Sequence, residues 1–213
     1  QFLKGLGVTL EVAFLALILG LVIGVVIAII RTIHDQRRGK QKGFGNVILN
    51  IANAICQVYL TVIRGTPMMV QLLIMYFVIF ASSSNQVLVA ILAFGINSGA
   101  YVAEIVRSGI MSVEAGQMEA GRSLGFNYVK TMRYIIIPQA LKNALPALGN
   151  EMITLLKDTS LVTVIGLKDL TKTAMIVQSR TYQAFMPFIG IAIVYLVIVL
   201  ILSKILSVVE RRL

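Results

Sequence analysis

Long apolar blocks separated by short, polar and mostly basic segments set the pattern of this chain. A helix that crosses a bilayer needs about 20 predominantly apolar residues at 1.5 Å rise each. Five stretches meet that requirement: residues 6–30, 46–81, 86–106, 135–156 and 185–206. The first, about 25 residues long, exceeds the 7–15 apolar residues of a cleavable signal and reads as a transmembrane helix. The second would reach about 54 Å as unbroken helix. Arg64-Gly65-Thr66-Pro67 interrupts it, so it is either one kinked span with a lead-in helix or two spans.

Charge distinguishes these, because positive residues accumulate on cytoplasmic loops. With one span at 46–81, the segments carrying Arg31, Arg37, Arg38, Lys40 and Lys42, then Arg107, Arg122, Lys130, Arg133 and Lys142, then Lys204, Arg211 and Arg212 share one side. Thirteen of the nineteen basic residues then face the cytoplasm, whereas two spans would split them. The pattern therefore predicts an all-α, polytopic protein of five transmembrane helices in a single membrane domain. Its N-terminus lies outside and its C-terminus in the cytoplasm. The chain begins at Gln1, without an initiator methionine, and its outer N-terminal end is expected to be incomplete.

Composition agrees. The chain is 58% hydrophobic and only 13% charged over 213 residues, too little charge to cover a soluble domain of this size. Mean hydropathy is +0.89. The net charge of +10 is accounted for by topology, so nucleic acid is not an expected partner. One cysteine, Cys56, excludes an intrachain disulfide, and no Cys/His spacing suits a metal. Small residues recur every fourth position at Ala16, Gly20, Gly24 and Ala28, and again at Gly95, Gly99 and Ala103. Such stripes let helices approach closely in lipid. The polar stretch 158–184 lies outside and is expected to hold a short surface helix.

Ionisable groups within spans are expensive and are functional candidates by default. Asn97, Tyr101 and Glu104, at i, i+4 and i+7, share one face of the third span. A carboxylate there with an amide and a phenol suits a ligand ammonium or guanidinium. The competing reading pairs Glu104 with Arg107 and makes Tyr101 an interfacial anchor. Glu151, Thr154 and Asp158 form a comparable face in the fourth span. Asp158 is the better substrate candidate there, and Glu151 reads as a contact between helices. Pro67 removes a backbone donor, and irregular backbone at membrane depth is tolerated where it is buried or lines a cavity. Thr66 and its neighbours therefore suit an amino acid's α-carboxylate, or else the break is purely mechanical with Arg64 held by a carboxylate. Glu11 and the single His34 are assigned no role.

The cytoplasmic segment 109–134 carries a short exposed helix over 114–124, with Gly125 placed to end it in the left-handed conformation. Within it, Glu119-Ala120-Gly121 is followed after three residues by Gly125, after nine more by Ile135, and then by Ile137-Pro138. This spacing resembles the EAA loop of importer permeases of the ATP-binding-cassette class, departing from it in Gly121 for Ala and Ile137 for Leu. Gly121 is expected to loosen the helix by about 1 kcal/mol. The segments 64–71, 100–107 and 155–161 are similar to the polar-amino-acid uptake branch of that class.

The resemblance implies a type I importer (MetI-like) fold and a homo- or heterodimer of permease subunits. It implies an external binding protein that delivers arginine, lysine, histidine or glutamine. It also implies cytoplasmic ATPases that receive Glu119, Ala120, Gly121 and Gly125 in a groove and carry the ATP and magnesium. Substrate contacts are implied near Asp158, Thr159 and Ser160. The chain has no Gly-x-x-x-x-Gly-Lys-Ser/Thr loop and so no ATPase site of that type. A gradient-driven transporter or channel is the alternative. A self-contained membrane enzyme lacks a paired-Asp, Gly-x-Ser-x-Gly or His-based site.

Overall fold

The computed structural model describes residues 2–37 and 44–212, so Arg38, Lys40 and Lys42 of the first basic segment lie outside the described residues. The described part is helices joined by short turns, with no strand among the described residues. The helices are α1 (Phe2–Arg37), α2 (Phe44–Gly65), α3 (Met68–Ile74), α4 (Gln86–Met111), α5 (Ala115–Ser123), α6 (Tyr128–Thr131), α7 (Ile137–Asp158), α8 (Leu170–Thr181) and α9 (Phe185–Arg212). Two π-helical turns, Met75–Ile79 and Met132–Ile136, extend α3 and join α6 to α7.

The second apolar block forms a long helix, a break and a short helix. α2 has 22 residues, about 33 Å of helix. The chain then breaks at Thr66 and Pro67 before the short apolar helix Met68–Ile79, which is too short to cross a bilayer alone. Gln71 repairs the break. Pro67 has no N–H to offer the carbonyl four residues back, that of Ile63. The Gln71 amide takes its place, donating to Ile63 O at 2.7 Å and to the Thr66 carbonyl and hydroxyl at 3.1 and 2.7 Å. α1, α2, α4 and α9 are each long and apolar enough to cross a membrane. α7 is the more polar fifth long helix, carrying Lys142, Asn143, Asn150, Glu151 and Lys157 among its 22 residues.

The small-residue stripes form the central seam. A Cβ on Gly24 would come within 2.5 Å of Val102 Cγ1, one on Gly20 within 3.0 Å of Ser98 Cβ, and one on Gly95 within 2.6 Å of Leu19 Cδ2. α1 and α4 can approach this closely only because these positions lack side chains. Ala16 and Ala28 are fully buried and Ala103 almost so. Around this pair, Val12, Leu72, Ala93, Phe94, Leu155 and Val162 pack α3, the end of α7 and the 3₁₀ turn Thr159–Ile165 against α1 and α4. Outward, α9 buries only Pro187 and Ile191. Phe14, Val22, Ile193 and Leu200 are among the many large apolar side chains left exposed, a surface suited to lipid rather than water.

The stretch after α7 does contain the expected short helix, α8. Fully buried Asp169 caps it, accepting from the backbone N–H groups of Thr171 (3.1 Å) and Lys172 (2.8 Å). Burial pushes this carboxyl upward from its ordinary pKa, while those N–H donors pull the other way.

Candidate functional site

α3, α4 and α7 meet at the backbone break. A cavity of about 450 Å³ opens there, lined by Arg64, Thr66, Pro67, Asn97, Tyr101, Glu151, Thr154 and Asp158 among others. Four residues singled out from sequence, Thr66, Asn97, Tyr101 and Asp158, thus line one cavity. Each arrives for a local reason. Thr66 and Pro67 lie where the helix cannot continue. Asn97 and Tyr101 are one helical turn apart on α4, and Thr154 and Asp158 one turn apart on α7. Two hydrogen bonds lock this arrangement: Asn97 Nδ2 donates to Gln71 Oε1 at 2.9 Å, tying α4 to the break, and Ser98 Oγ donates to Glu151 Oε1 at 2.8 Å, tying α4 to α7. Glu151 therefore makes the expected contact between helices while also lining the cavity.

The remaining candidates lie elsewhere. Glu104 does not line this cavity. Its carboxylate is engaged by three guanidinium groups: Arg31 hydrogen-bonds it from α1, Arg107 Nε lies 3.7 Å away and Arg64 Nη1 3.8 Å away. The pairing with Arg107 belongs to the structural reading of Glu104, and Arg31 is an additional partner. Thr159 is fully buried and donates to the Leu156 carbonyl at 2.6 Å, and Ser160 is half-buried beside it in the 3₁₀ turn. Neither lines the cavity.

Sequence reasoning left Arg64, Glu151 and Thr154 off its substrate-contact residues, although all three line the cavity. The shared face of 151, 154 and 158 was a signal for two of them. Arg64 stands directly before the break, and its guanidinium lies over the Tyr101 ring at 5.7 Å from the centroid.

The segment between α4 and α7 forms a second site. Helix α5 displays Glu119 and Ala120 to solvent while Gly121 is buried. A Cβ on Gly121 would lie 2.6 Å from Thr131 Cγ2 and 2.9 Å from its Oγ1, so the departure from Ala is matched by a β-branched neighbour. Gly125 has φ +80°. Its N–H donates to Arg122 O at 2.9 Å, and that of Phe126 to Gly121 O at 3.0 Å. The left-handed ending is the one the sequence predicts, and the two hydrogen bonds make it a Schellman motif. Around it, Leu124, Val129 and Tyr134 are exposed apolar side chains on a polar segment.

Residues 44–213 match the family model described as binding-protein-dependent transport system inner membrane component. The chain is 40% identical over 182 residues to the arginine transport system permease protein ArtQ of Bacillus subtilis, covering 78% of this chain and 83% of the relative. It is 41% identical over 166 residues to the glutamine transport system permease protein GlnP of Escherichia coli K12, covering 76% of each. Among solved structures, an amino acid ABC transporter crystallised with histidines superposes with TM-score 0.87 at 45% identity, covering 100% of this chain and 94% of that one. The inward-facing MetNI methionine ABC transporter superposes with TM-score 0.80 at 19% identity, covering 99% and 95%. The last likeness concerns the fold alone.

Proposed function

This chain belongs to the inner membrane components of binding-protein-dependent transport systems, and we propose from that premise that it carries polar, preferentially basic, amino acids through the cavity beside Pro67. As a multi-pass permease it has no ATPase site of its own. Cytoplasmic ATP-binding-cassette subunits bind ATP and magnesium, a second permease subunit completes the pathway, and an extracytoplasmic binding protein delivers the substrate. The spans at 6–30, 46–81, 86–106, 135–156 and 185–206 put the N-terminus outside and the C-terminus in the cytoplasm, following the positive residues. Glu119, Ala120, Gly121 and Gly125 form the coupling element that engages the ATPase, and ATP-driven closure there turns the cavity outward.

The observation that carries the substrate class is a cavity of about 450 Å³ bearing both signs of charge. That size falls in the range of about 300–1,000 Å³ common for small-ligand sites. Asp158 and Glu151 suit a cationic ligand group. The break at Thr66 and Pro67, with Asn97 and Tyr101 beside it, suits the zwitterionic end. Relatives named for arginine and for glutamine are similar to the chain to nearly the same degree, so the preference for basic substrates rests on the two carboxylates. Thr159 and Ser160, in the 3₁₀ turn that directly follows, support the end of α7 that carries Asp158.

The test is uptake into proteoliposomes by the assembled complex with its binding protein. Arginine uptake should require ATP, and Asp158→Asn should lower it about ten-fold or more by removing a ligand-facing charge. Uptake sustained by an ion gradient alone would overturn the importer assignment in favour of gradient-driven transport. An Asp158→Asn rate equal to wild type would overturn the cavity assignment.

A further inference from the structure

Arg64 borders two cavities. One is the candidate substrate cavity with Glu151 and Asp158. The other, of about 480 Å³, is lined by Arg31, Gln57, Leu60, Thr61, Gly65 and Glu104. The guanidinium lies over the Tyr101 ring, 3.8 Å from Glu104 Oε1. We propose that Glu104 sets the charge preference of the substrate cavity from outside it, as a positioning residue that holds Arg64 away from Asp158 and Glu151. This rests on the reading of that cavity as the amino-acid site.

The geometry makes Arg64 the movable member of the cluster. Arg31 hydrogen-bonds Glu104 and is well buried, and Arg107 bridges Glu104 and Asp35, the latter at 3.0 Å. Arg64 makes no hydrogen bond to Glu104 beyond its 3.8 Å contact, its side chain is 45% exposed, and Gly65 and the helix break follow it directly. A long side chain on such a terminus takes its place from the competition of nearby carboxylates. While Glu104 wins, Arg64 borders the cavity without pairing with either of its two carboxylates. One of these accepts a neutral hydroxyl from Ser98, and a ligand ammonium or guanidinium supplies the missing positive charge. With Glu104 uncharged, Arg64 is drawn across Tyr101 to Asp158 and Glu151, takes the place of the ligand's cation, and leaves a cavity suited to neutral polar amino acids.

The test measures binding of radiolabelled arginine and glutamine to the reconstituted complex. Glu104→Gln keeps an acceptor for Arg31. It should lower the arginine-to-glutamine preference about ten-fold, the scale of one redirected charge at close range. Glu104→Gln combined with Arg64→Gln should restore the preference to within about two-fold of Arg64→Gln alone, since the competing cation is gone and the effects are then non-additive. An unchanged ratio in Glu104→Gln, or a double variant as impaired as Glu104→Gln, overturns the inference, the latter because Glu104 would act without Arg64. Asp158→Asn separates the two levels: if it leaves arginine preference intact, the cavity reading itself falls and this inference with it.

Discussion

Replacing Gly121 by alanine would restore the residue common in the loop pattern that this chain resembles, and helix propensity alone predicts a gain of about 1 kcal/mol. The packing predicts the opposite. The added methyl would meet Thr131 Cγ2 at 2.6 Å, Thr131 Oγ1 at 2.9 Å and Ile135 Cδ1 at 3.2 Å. Thr131 cannot easily yield: it is fully buried, and its hydroxyl donates to the Asn127 carbonyl at 3.1 Å. Its β-branched side chain is also stiff about χ1. Overpacking of this kind costs about 1–3 kcal/mol, which outweighs the propensity gain and leaves α5 less firmly docked by about 1 kcal/mol. Hydrogen exchange on the reconstituted complex should therefore show faster opening across residues 115–131, by about five-fold for 1 kcal/mol. ATP-driven uptake should fall with it. Adding Thr131→Ala removes both clashing atoms and should return exchange to the wild-type rate or slower, because the propensity gain then stands unopposed. Stronger protection in Gly121→Ala alone, or no recovery in the double variant, would refute the packing argument.

Two further changes probe the frame that positions the cavity. Gly24→Ala should lower the melting temperature of the purified protein in detergent, since its Cβ would sit 2.5 Å from Val102 Cγ1 and 2.9 Å from the Ala103 backbone nitrogen, an overpacking cost of about 1–3 kcal/mol. Gly7→Ala, whose Cβ meets nothing within 4 Å, should leave it unchanged or raise it through helix propensity, and equal losses in both would undo the seam argument. Gln71→Leu removes the donor that satisfies Ile63 and Thr66 and the acceptor used by Asn97. At about 1 kcal/mol net for each of the two part-buried bonds, it should loosen the break by about 2 kcal/mol. The signature is increased exchange over residues 62–72 and weaker arginine binding, and unaltered exchange there would show that the break holds itself.

The features legible in the sequence were those fixed within one helix or one turn. Apolar length announced α1, α4 and α9, four-residue spacing announced a packing stripe on each of α1 and α4 though not that the two would meet, and Gly125 announced its own left-handed turn. Pro67 announced a break but not its repair, because Gln71 matters only once α3 brings its side chain to the carbonyl Pro67 abandons. The same limit governs the charges. Positions 97, 101 and 104 do share a face, so periodicity assigns all three to one ligand. Yet Glu104 lies about 4.5 Å further along the axis than Tyr101, beside guanidinium groups from α1 and α2 that are 73 and 40 positions away in the chain. Periodicity reports direction around a helix and is silent about what waits at each height. For Glu104 that height decides between touching the substrate and holding Arg64, the side chain that would compete with the substrate for Asp158 and Glu151.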